Sequence, residues 1–221
     1  MKKILSLLLT LMMLFSVVPT SVLAENDVAT ATVYLTVSNK GVIASANDVS
    51  IMANREVSVK DIDEDGKLTY DEALVAAHKA YNSESGYSAP GGYVSKLWGM
   101  NTTNASFFIN NQSFSSSVGA ANIKDGDYLV ASINKDNLYY ADWYSYFDAT
   151  EKSVKVNEEF TLTLKGHLGM AFSDEDKIDT VLPSISIGTV SNGEFSAIDN
   201  KTTNSDGEVT ISFDKAGKYY V

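Results

Sequence analysis

Residues 57–81, VSVKDIDEDGKLTYDEALVAAHKAY, contain the two periodicities that decide the fold. Before the acidic turn at the centre of this stretch, apolar and polar residues alternate, as in a strand with one buried face. After the turn, from Tyr70 to about Tyr81, alanines and the apolar residues Leu74 and Ala77 recur at spacings of three and four, which predicts a helix. A strand that leads directly into a helix, in a chain otherwise rich in strand patterns, predicts the α+β fold class.

The acidic turn, residues 61–72, matches the loop with which EF-hand proteins bind calcium. That loop supplies oxygen ligands from positions 1, 3, 5, 7, 9 and 12, and it has glycine at position 6. In this chain Gly66 occupies position 6. The spacing predicts one Ca²⁺ as cofactor, with Thr69 acting through a water molecule and with five direct ligands: Asp61, Asp63, Asp65, Lys67 through its backbone carbonyl, and Glu72.

An acidic, solvated turn before a helix is the alternative interpretation, because Asp and Glu are common in turns and in first helical turns. Three alternating aspartates, the glycine, the apolar Leu68 at position 8 and the final glutamate all match in register, which favours calcium. Four carboxylates in one loop would also repel one another without a cation. A second loop-like start at Thr202 lacks an acid at its twelfth position, Phe213, and is better explained as a hairpin turn, so a single site is predicted.

The first 24 residues have the pattern of an export signal. A basic start precedes a long apolar run, and residues 22–24 offer small side chains for cleavage before Glu25. Residues 25–30 are predicted to be a linker. The absence of cysteine fits an exported bacterial protein without disulfides, and it excludes thiol catalysis and zinc–thiolate sites. We therefore expect a secreted or cell-surface protein whose mature chain has no membrane span.

Charge and motif content argue against several classes of function. The chain has 28 acidic and 17 basic residues, and its formal net charge of −11 disfavours nucleic acids and anionic membranes as partners. The two histidines, His78 on the predicted helix and His167 in a predicted turn, belong to no nucleophile or acid–base motif. We predict a non-catalytic protein, and a glycosidase-like pair of carboxylates is the remaining enzyme hypothesis.

Alternation predicts further strands on both sides of the acidic loop. Ala31, Val33, Leu35 and Val37 would form the buried face of the first strand, followed by a turn at Asn39-Lys40-Gly41. A second run, from Ile51 to Lys60, would bury Ile51, Ala53, Val57 and Val59 and expose Met52. Two later strands are predicted at Ser106 to Ile109, before a turn at Asn110-Asn111, and at Tyr128 to Ile133.

Three segments in this order resemble the transcobalamin-C-terminal-like domain of bacterial surface proteins: GGYVSKLWG (residues 91–99), ASFFINNQSF (105–114) and IKDGDYLVASI (123–133). The resemblance extends over residues 32–133. It implies a β-grasp domain with one main helix over residues 31–150, in which the calcium loop is an insertion before the helix. It does not extend to cobalamin binding, because no ligand-contacting residue can be matched to this chain.

The chain after residue 137 differs in composition. Six aromatic residues lie within residues 138–147; exposed, they would stack on sugars or on a partner, and buried, they would join two domains, which is the favoured interpretation. Alternation after residue 150 predicts an antiparallel β-sandwich. The closing run, residues 202–221, resembles the last hairpin of bacterial immunoglobulin-like surface repeats, and the resemblance extends back to about Ser153. It implies an immunoglobulin-like domain over residues 151–221, which we expect to be truncated at its C-terminus.

Taken together, these patterns predict a secreted or cell-surface, non-catalytic module that binds one structural calcium ion. The second hypothesis is a ligand-binding or adhesive surface module whose partner is a glycan, a cobamide or a protein. That module would use the aromatic run or a pocket near Trp98.

Overall fold

A computed structural model of the chain describes residues 28–48, 51–135, 142–168 and 178–221. The predicted export signal lies outside these residues. The described chain is mostly β-structure with a single α-helix, α1 (Tyr70–Tyr81), in agreement with the α+β class. The bounds of this helix agree with the sequence prediction. Within the same residues, no helix has both the length and the apolar character needed to cross a bilayer.

The first sheet is mixed and has six strands. Its central strand, β1 (Thr30–Asn39), runs antiparallel to β3 (Arg55–Lys60), which precedes the acidic loop. On its other side, β1 runs parallel to β8 (Tyr128–Ile133), the strand of this sheet that comes last in the chain. A two-stranded ladder outside this sheet consists of β4 (Lys96–Leu97) and β5 (Met100–Asn101). The six strands are β1 (Thr30–Asn39), β2 (Val42–Ile43), β3 (Arg55–Lys60), β6 (Ala105–Ile109), β7 (Gln112–Ser113) and β8 (Tyr128–Ile133).

The inner face of this sheet forms a core with α1. The alternation predicted for β1 is confirmed, because Ala31, Val33, Leu35 and Val37 are all buried. Helix α1 packs on the same side and contributes four apolar residues to this core: Tyr70, Ala73, Leu74 and Ala77. The acidic loop joins β3, which pairs with β1, to α1, so it lies where the sheet passes to the helix at the edge of this core.

Two predicted turns are confirmed as tight hairpins. Lys40 and Gly41 have φ values of 54° and 82°, and Asn110 and Asn111 have φ values of 50° and 67°. Positive φ at both central residues produces a turn whose twist matches that of the flanking strands, and glycine and asparagine tolerate it best. These turns connect β1 to β2 and β6 to β7.

The segment before β3 differs from the prediction. Met52 is fully buried, although alternation predicted that it would be exposed. Its backbone N–H and C=O bond to Ala44 and Val37, so the segment is held in the first sheet before Asn54 adopts a positive φ of 45°. That conformation interrupts the alternation, and three consecutive apolar side chains, Ile51, Met52 and Ala53, enter the core.

The remaining strands are antiparallel and have a core of their own. Its buried residues are Leu162, Leu164, Ile187, Val209 and Ile211. His167 was predicted to lie in a turn, but it is buried within a strand that bonds to three others. One sheet contains β9 (Trp143–Phe147), β10 (Phe160–Leu168), β11 (Thr180–Val181) and β14 (Glu208–Ile211); a separate hairpin contains β12 (Ser186–Ser191) and β13 (Glu194–Thr202).

The aromatic run, residues 138–147, includes a ring that packs on the first sheet and a ring that is exposed to solvent. The ring of Tyr144 stacks on Phe108 of the first sheet with centroids 3.8 Å apart, and its hydroxyl donates to Asn111 Oδ1 at 2.8 Å. Trp143, by contrast, is 52% exposed. Tyr139 and Tyr140 lie outside the described residues. The run therefore includes one residue that packs on the first sheet and one that is half exposed.

Candidate metal centre

Asp61 connects the end of β3 to the acidic loop. Its backbone N–H donates to Ala29 O at 2.9 Å, and the residue is only 5% exposed. Both carboxylate oxygens accept backbone hydrogen bonds from the loop: Oδ1 from Asp65 N at 3.2 Å and Oδ2 from Gly66 N at 2.8 Å. The first predicted ligand thus also orders the turn, because it satisfies two backbone donors that the bend leaves without a ladder partner.

Three of the predicted ligands converge. Asp61, Asp63 and Asp65 each place one carboxylate oxygen within 4.8 Å of the other two. Asp61 is buried, and the other two side chains are exposed. Within the described part of the chain, these three residues are the one group of acidic or histidine side chains with this spacing. Closely spaced carboxylates repel one another, and a divalent cation relieves that repulsion.

The bend that brings them together depends on left-handed backbone. Gly66 has a φ of +82° and Glu64 a φ of +59°. Asp65 Oδ1 accepts a 2.8 Å hydrogen bond from Lys67 N, which closes the following turn. Glycine at position 6 is required because a side chain there would be strained.

Lys67 places its side chain at the surface, beside one of the predicted ligands. Its Nζ lies 3.6 Å from Asp65 Oδ2, and the side chain is 62% exposed. An exposed ion pair of this kind contributes little to stability. It does place a positive charge against one of the predicted metal ligands, where the charge opposes a bound cation.

Glu72 closes the loop from the first turn of α1. Its Oε1 accepts a hydrogen bond from Ile62 N at 2.6 Å, and its Oε2 accepts from Thr69 N at 2.8 Å and from Thr69 Oγ1 at 3.0 Å. Thr69 Oγ1 in turn accepts from Glu72 N, so the two residues form a capping box. The carboxylate therefore lies over backbone donors of the loop and does not belong to the cluster of three aspartates.

Residues 121–123, which are distant in sequence, form backbone hydrogen bonds with the C-terminal part of the loop. Ile123 N donates to Leu68 O at 2.8 Å, and Tyr70 N donates to Ala121 O at 2.9 Å, with a β-bridge between Thr69 and Asn122. These bonds attach positions 8 to 10 of the loop to the segment that leads into β8. Sequence reasoning missed this contact because nothing in residues 121–123 identifies their partner.

Tyr70, at position 10 of the loop, has a buried hydroxyl group. The residue is fully buried between Phe107 and Phe114, and within the described residues its hydroxyl has no hydrogen-bond partner. Burial raises the pKa of this hydroxyl well above its usual value, with a smaller contribution from Tyr144. The backbone of Phe108 opposes the rise in pKa, but its geometry falls short of a hydrogen bond.

His78 and Trp98 are both buried, and both side chains form hydrogen bonds with the backbone. His78 is fully buried; its Nδ1 donates to Leu74 O at 2.7 Å, and its Nε2 accepts from Trp98 N at 2.9 Å. Burial lowers the pKa of His78, and the hydrogen bond to Leu74 partly opposes that change. Trp98 is 8% exposed and donates its indole N–H to Ser45 O. Both side chains are occupied by these contacts, which argues against a pocket at Trp98 in this conformation.

Comparisons with known proteins supply no further assignment. A scan against protein-family models, a search of curated proteins and a search of solved structures each find no match. The resemblances in the sequence therefore remain expectations, and the site is assigned from the geometry and chemistry of its own residues.

Proposed function

We propose that the protein is a secreted or cell-surface, non-catalytic module that binds one structural calcium ion in residues 61–72. The observation that supports this most strongly is the convergence of Asp61, Asp63 and Asp65, whose oxygens lie within 4.8 Å of one another. Every side-chain ligand in the set offers oxygen, which suits hard cations such as Ca²⁺ and disfavours zinc and copper.

The residues present fit such an ion. The three aspartates and the backbone carbonyl of Lys67 would hold it. Glu72 lies outside the cluster of three aspartates, and it would complete the set by exchanging its hydrogen bonds to Ile62 N and Thr69 N for the ion. Backbone hydrogen bonds to Asp61 order part of this loop in advance, so fewer groups lose freedom when the ion binds.

The ion would have a structural role. Extracellular calcium sites have dissociation constants of about 10⁻⁴ to 10⁻³ M, so at similar external concentrations the site would be largely occupied. At a free concentration ten times the dissociation constant, binding stabilises the folded state by roughly 1.4 kcal/mol. Because the loop joins β3 to α1, that stabilisation would act on the junction between the first sheet and its helix.

The proposal also assigns a fold to each of two domains. Residues 31–150 would form a β-grasp domain, supported by a helix that packs on a mixed sheet in which β1 lies beside the parallel β8. Strand β9, near the end of this range, pairs with β10 of the second sheet. Residues 151–221 would belong to an immunoglobulin-like domain, supported by antiparallel strands around a second core. Secretion would follow from the export pattern at the N-terminus.

Calorimetric titration of the chelator-treated full chain with Ca²⁺ and with Mg²⁺ tests the calcium site. We expect one calcium site, and we expect Asp63→Asn to weaken it about tenfold or more because a ligand charge is lost. Glu64→Gln is the matched control, since it removes one charge from the same loop at a position that supplies no ligand. Equal weakening by both variants, or no binding in millimolar Ca²⁺, would overturn the proposal.

Limited proteolysis provides a second readout. Chelation should produce new cleavage within residues 61–72, because the repelling carboxylates would open the loop more often. At a calcium concentration about ten times the wild-type dissociation constant, the Asp63→Asn variant should give a pattern between the two, because a tenfold weaker site would be about half occupied. Identical patterns in calcium and in chelator would count against a structural role for the ion.

A further inference from the structure

A groove of about 720 Å³ lies between the outer face of the first sheet and strand β9. This sheet groove is defined by Thr36 and Ser38 of β1, Val130 and Ser132 of β8, and Trp143 of β9. The calcium loop contributes no residue to its lining. Sites for small ligands commonly have volumes of about 300 to 1,000 Å³, so the size fits a ligand of a few rings.

Ordered hydroxyl and amide groups form the floor of the sheet groove. Ser38 Oγ donates to Ser132 Oγ at 2.8 Å, across the parallel pair β1 and β8. Thr36 Oγ1 accepts from Asn54 N at 3.0 Å, and the Asn54 amide donates to Thr150 O at 3.0 Å. Alternation explains their position: Val37 faces the core, so its neighbours on β1 face the groove. Each of these hydroxyls can both donate and accept hydrogen bonds.

Aromatic rings form another part of the lining. Trp143 is 52% exposed, and Tyr128 stacks on Tyr34 with ring centroids 5.1 Å apart. Tyr146 and Phe147 of β9 also line the groove. Aromatic side chains offer flat, apolar and rigid surfaces, and tryptophan and tyrosine also carry a polar group. The sheet groove therefore combines flat apolar surface with a hydroxyl-bearing floor.

We propose that the sheet groove binds a short oligosaccharide, a function beyond the calcium site. A pyranose ring has an apolar C–H face, which suits stacking on an aromatic ring, and a rim of hydroxyls that both donate and accept. An apolar helix or a lipid chain would leave the hydroxyls of the floor without water, at a cost in binding free energy. The net charge of −11 disfavours nucleic acid in the same groove.

An array of neutral and acidic oligosaccharides, probed with the full chain, tests this inference, followed by calorimetry with the oligosaccharide that binds most strongly. Trp143→Ala should weaken binding about tenfold or more, and Trp143→Phe should retain most of it. Ser132→Val should weaken binding severalfold, because it removes a floor hydroxyl. Tyr93→Ala is the matched control; Tyr93 is 76% exposed and lies outside the groove, so binding should be unchanged.

Tryptophan fluorescence reports on the same contact. Trp98 is buried and Trp143 is half exposed, so ligand stacking should change the Trp143 emission, and Trp143→Phe should abolish that change. Three results would overturn the inference: no saccharide bound at millimolar concentration, undiminished binding by Trp143→Ala, or binding of an extended peptide in place of saccharides. Asp63→Asn should leave saccharide binding intact, so failure of one site is distinguishable from failure of the other.

Discussion

The Oε1 atom of Glu72 accepts a 2.6 Å hydrogen bond from the backbone N–H of Ile62, ten residues earlier in the chain. The other oxygen accepts from Thr69 at the start of α1. A single carboxylate thus connects the beginning of the acidic loop to the helix that follows it. Glu72 therefore has a role in helix capping that does not require an ion, in addition to its proposed role as a ligand.

Replacement of Glu72 by glutamine should destabilise the protein even in chelator. Glutamine has one carbonyl oxygen and no charge, so it cannot accept all three hydrogen bonds, and we expect a loss of about 1 to 2 kcal/mol in the free energy of unfolding. Urea denaturation in chelator measures this loss. Glu64→Gln, in the same loop, should change stability by less than about 0.5 kcal/mol; an equal effect of both variants would contradict the capping role.

Gly66→Ala should destabilise the loop by about 1 to 2 kcal/mol, because the φ of +82° is unfavourable for a residue with a Cβ atom. A Cβ atom at this position meets no other atom within 4 Å, so the expected cost is conformational and not steric. Gly119→Ala is a suitable control, since that glycine also has open space around it but no positive φ. Thermal or urea unfolding compares the two, and equal stabilities would refute the explanation.

Lys67→Met should raise the affinity for calcium about two- to fivefold at low salt. The variant retains most of the side-chain length but removes the ammonium group that lies 3.6 Å from Asp65. Calorimetric titration at two ionic strengths provides the measurement, because screening at about 1 M salt should remove most of the difference. An affinity that is unchanged at low salt would show that the ion pair does not compete with the metal.

The stability of the protein should depend on pH through His78. Its pKa is lowered in the folded state by burial, whereas the unfolded value is about 6.5. The unfolded state therefore binds the proton first as the pH falls, and the free energy of unfolding should be constant above about pH 6.5 and decrease below it. Protonation would also put a hydrogen on Nε2, which now accepts a hydrogen bond from Trp98 N, so that bond would be lost.

Urea denaturation at pH 8, 6.5 and 5 tests this dependence in the wild type and in His78→Gln. The variant lacks the titrating ring, so its stability should decrease less over this range, whatever its absolute stability. The quantity compared is the slope of the unfolding free energy with pH. The carboxylates contribute equally to this slope in both proteins, so a difference between the slopes is due to His78. Equal slopes would exclude His78 as the source.

Tyr70→Phe should leave stability unchanged or raise it by about 1 kcal/mol. The substitution removes a buried hydroxyl that has no hydrogen-bond partner in the described chain, and it keeps the ring between Phe107 and Phe114. Tyr81→Phe is the contrasting variant, because the Tyr81 hydroxyl donates to Glu56 O at 2.6 Å. A larger loss for Tyr70→Phe than for Tyr81→Phe would indicate that a water or another group satisfies Tyr70.

Much of the local structure could be predicted from sequence patterns. The buried face of β1, the bounds of α1, the turn at Asn110-Asn111 and the spacing of the aspartates all depend on residues close together in the chain. Periodicity and backbone preference act over this short range, so one sequence is sufficient to recognise them. Met52 is the exception, because the positive φ of Asn54 interrupts an alternation that the sequence alone would continue.

Only the tertiary structure decided the contacts between distant segments. It attached the exit of the acidic loop to residues 121–123, stacked Tyr144 on Phe108, and oriented Glu72 towards Ile62 instead of towards the aspartates. The sequence by itself determined which residues offer oxygen at which spacing, and which faces of strands and helix are apolar. Where those faces meet depends on how the whole chain packs, and packing depends on shape and burial over distances that no local pattern encodes.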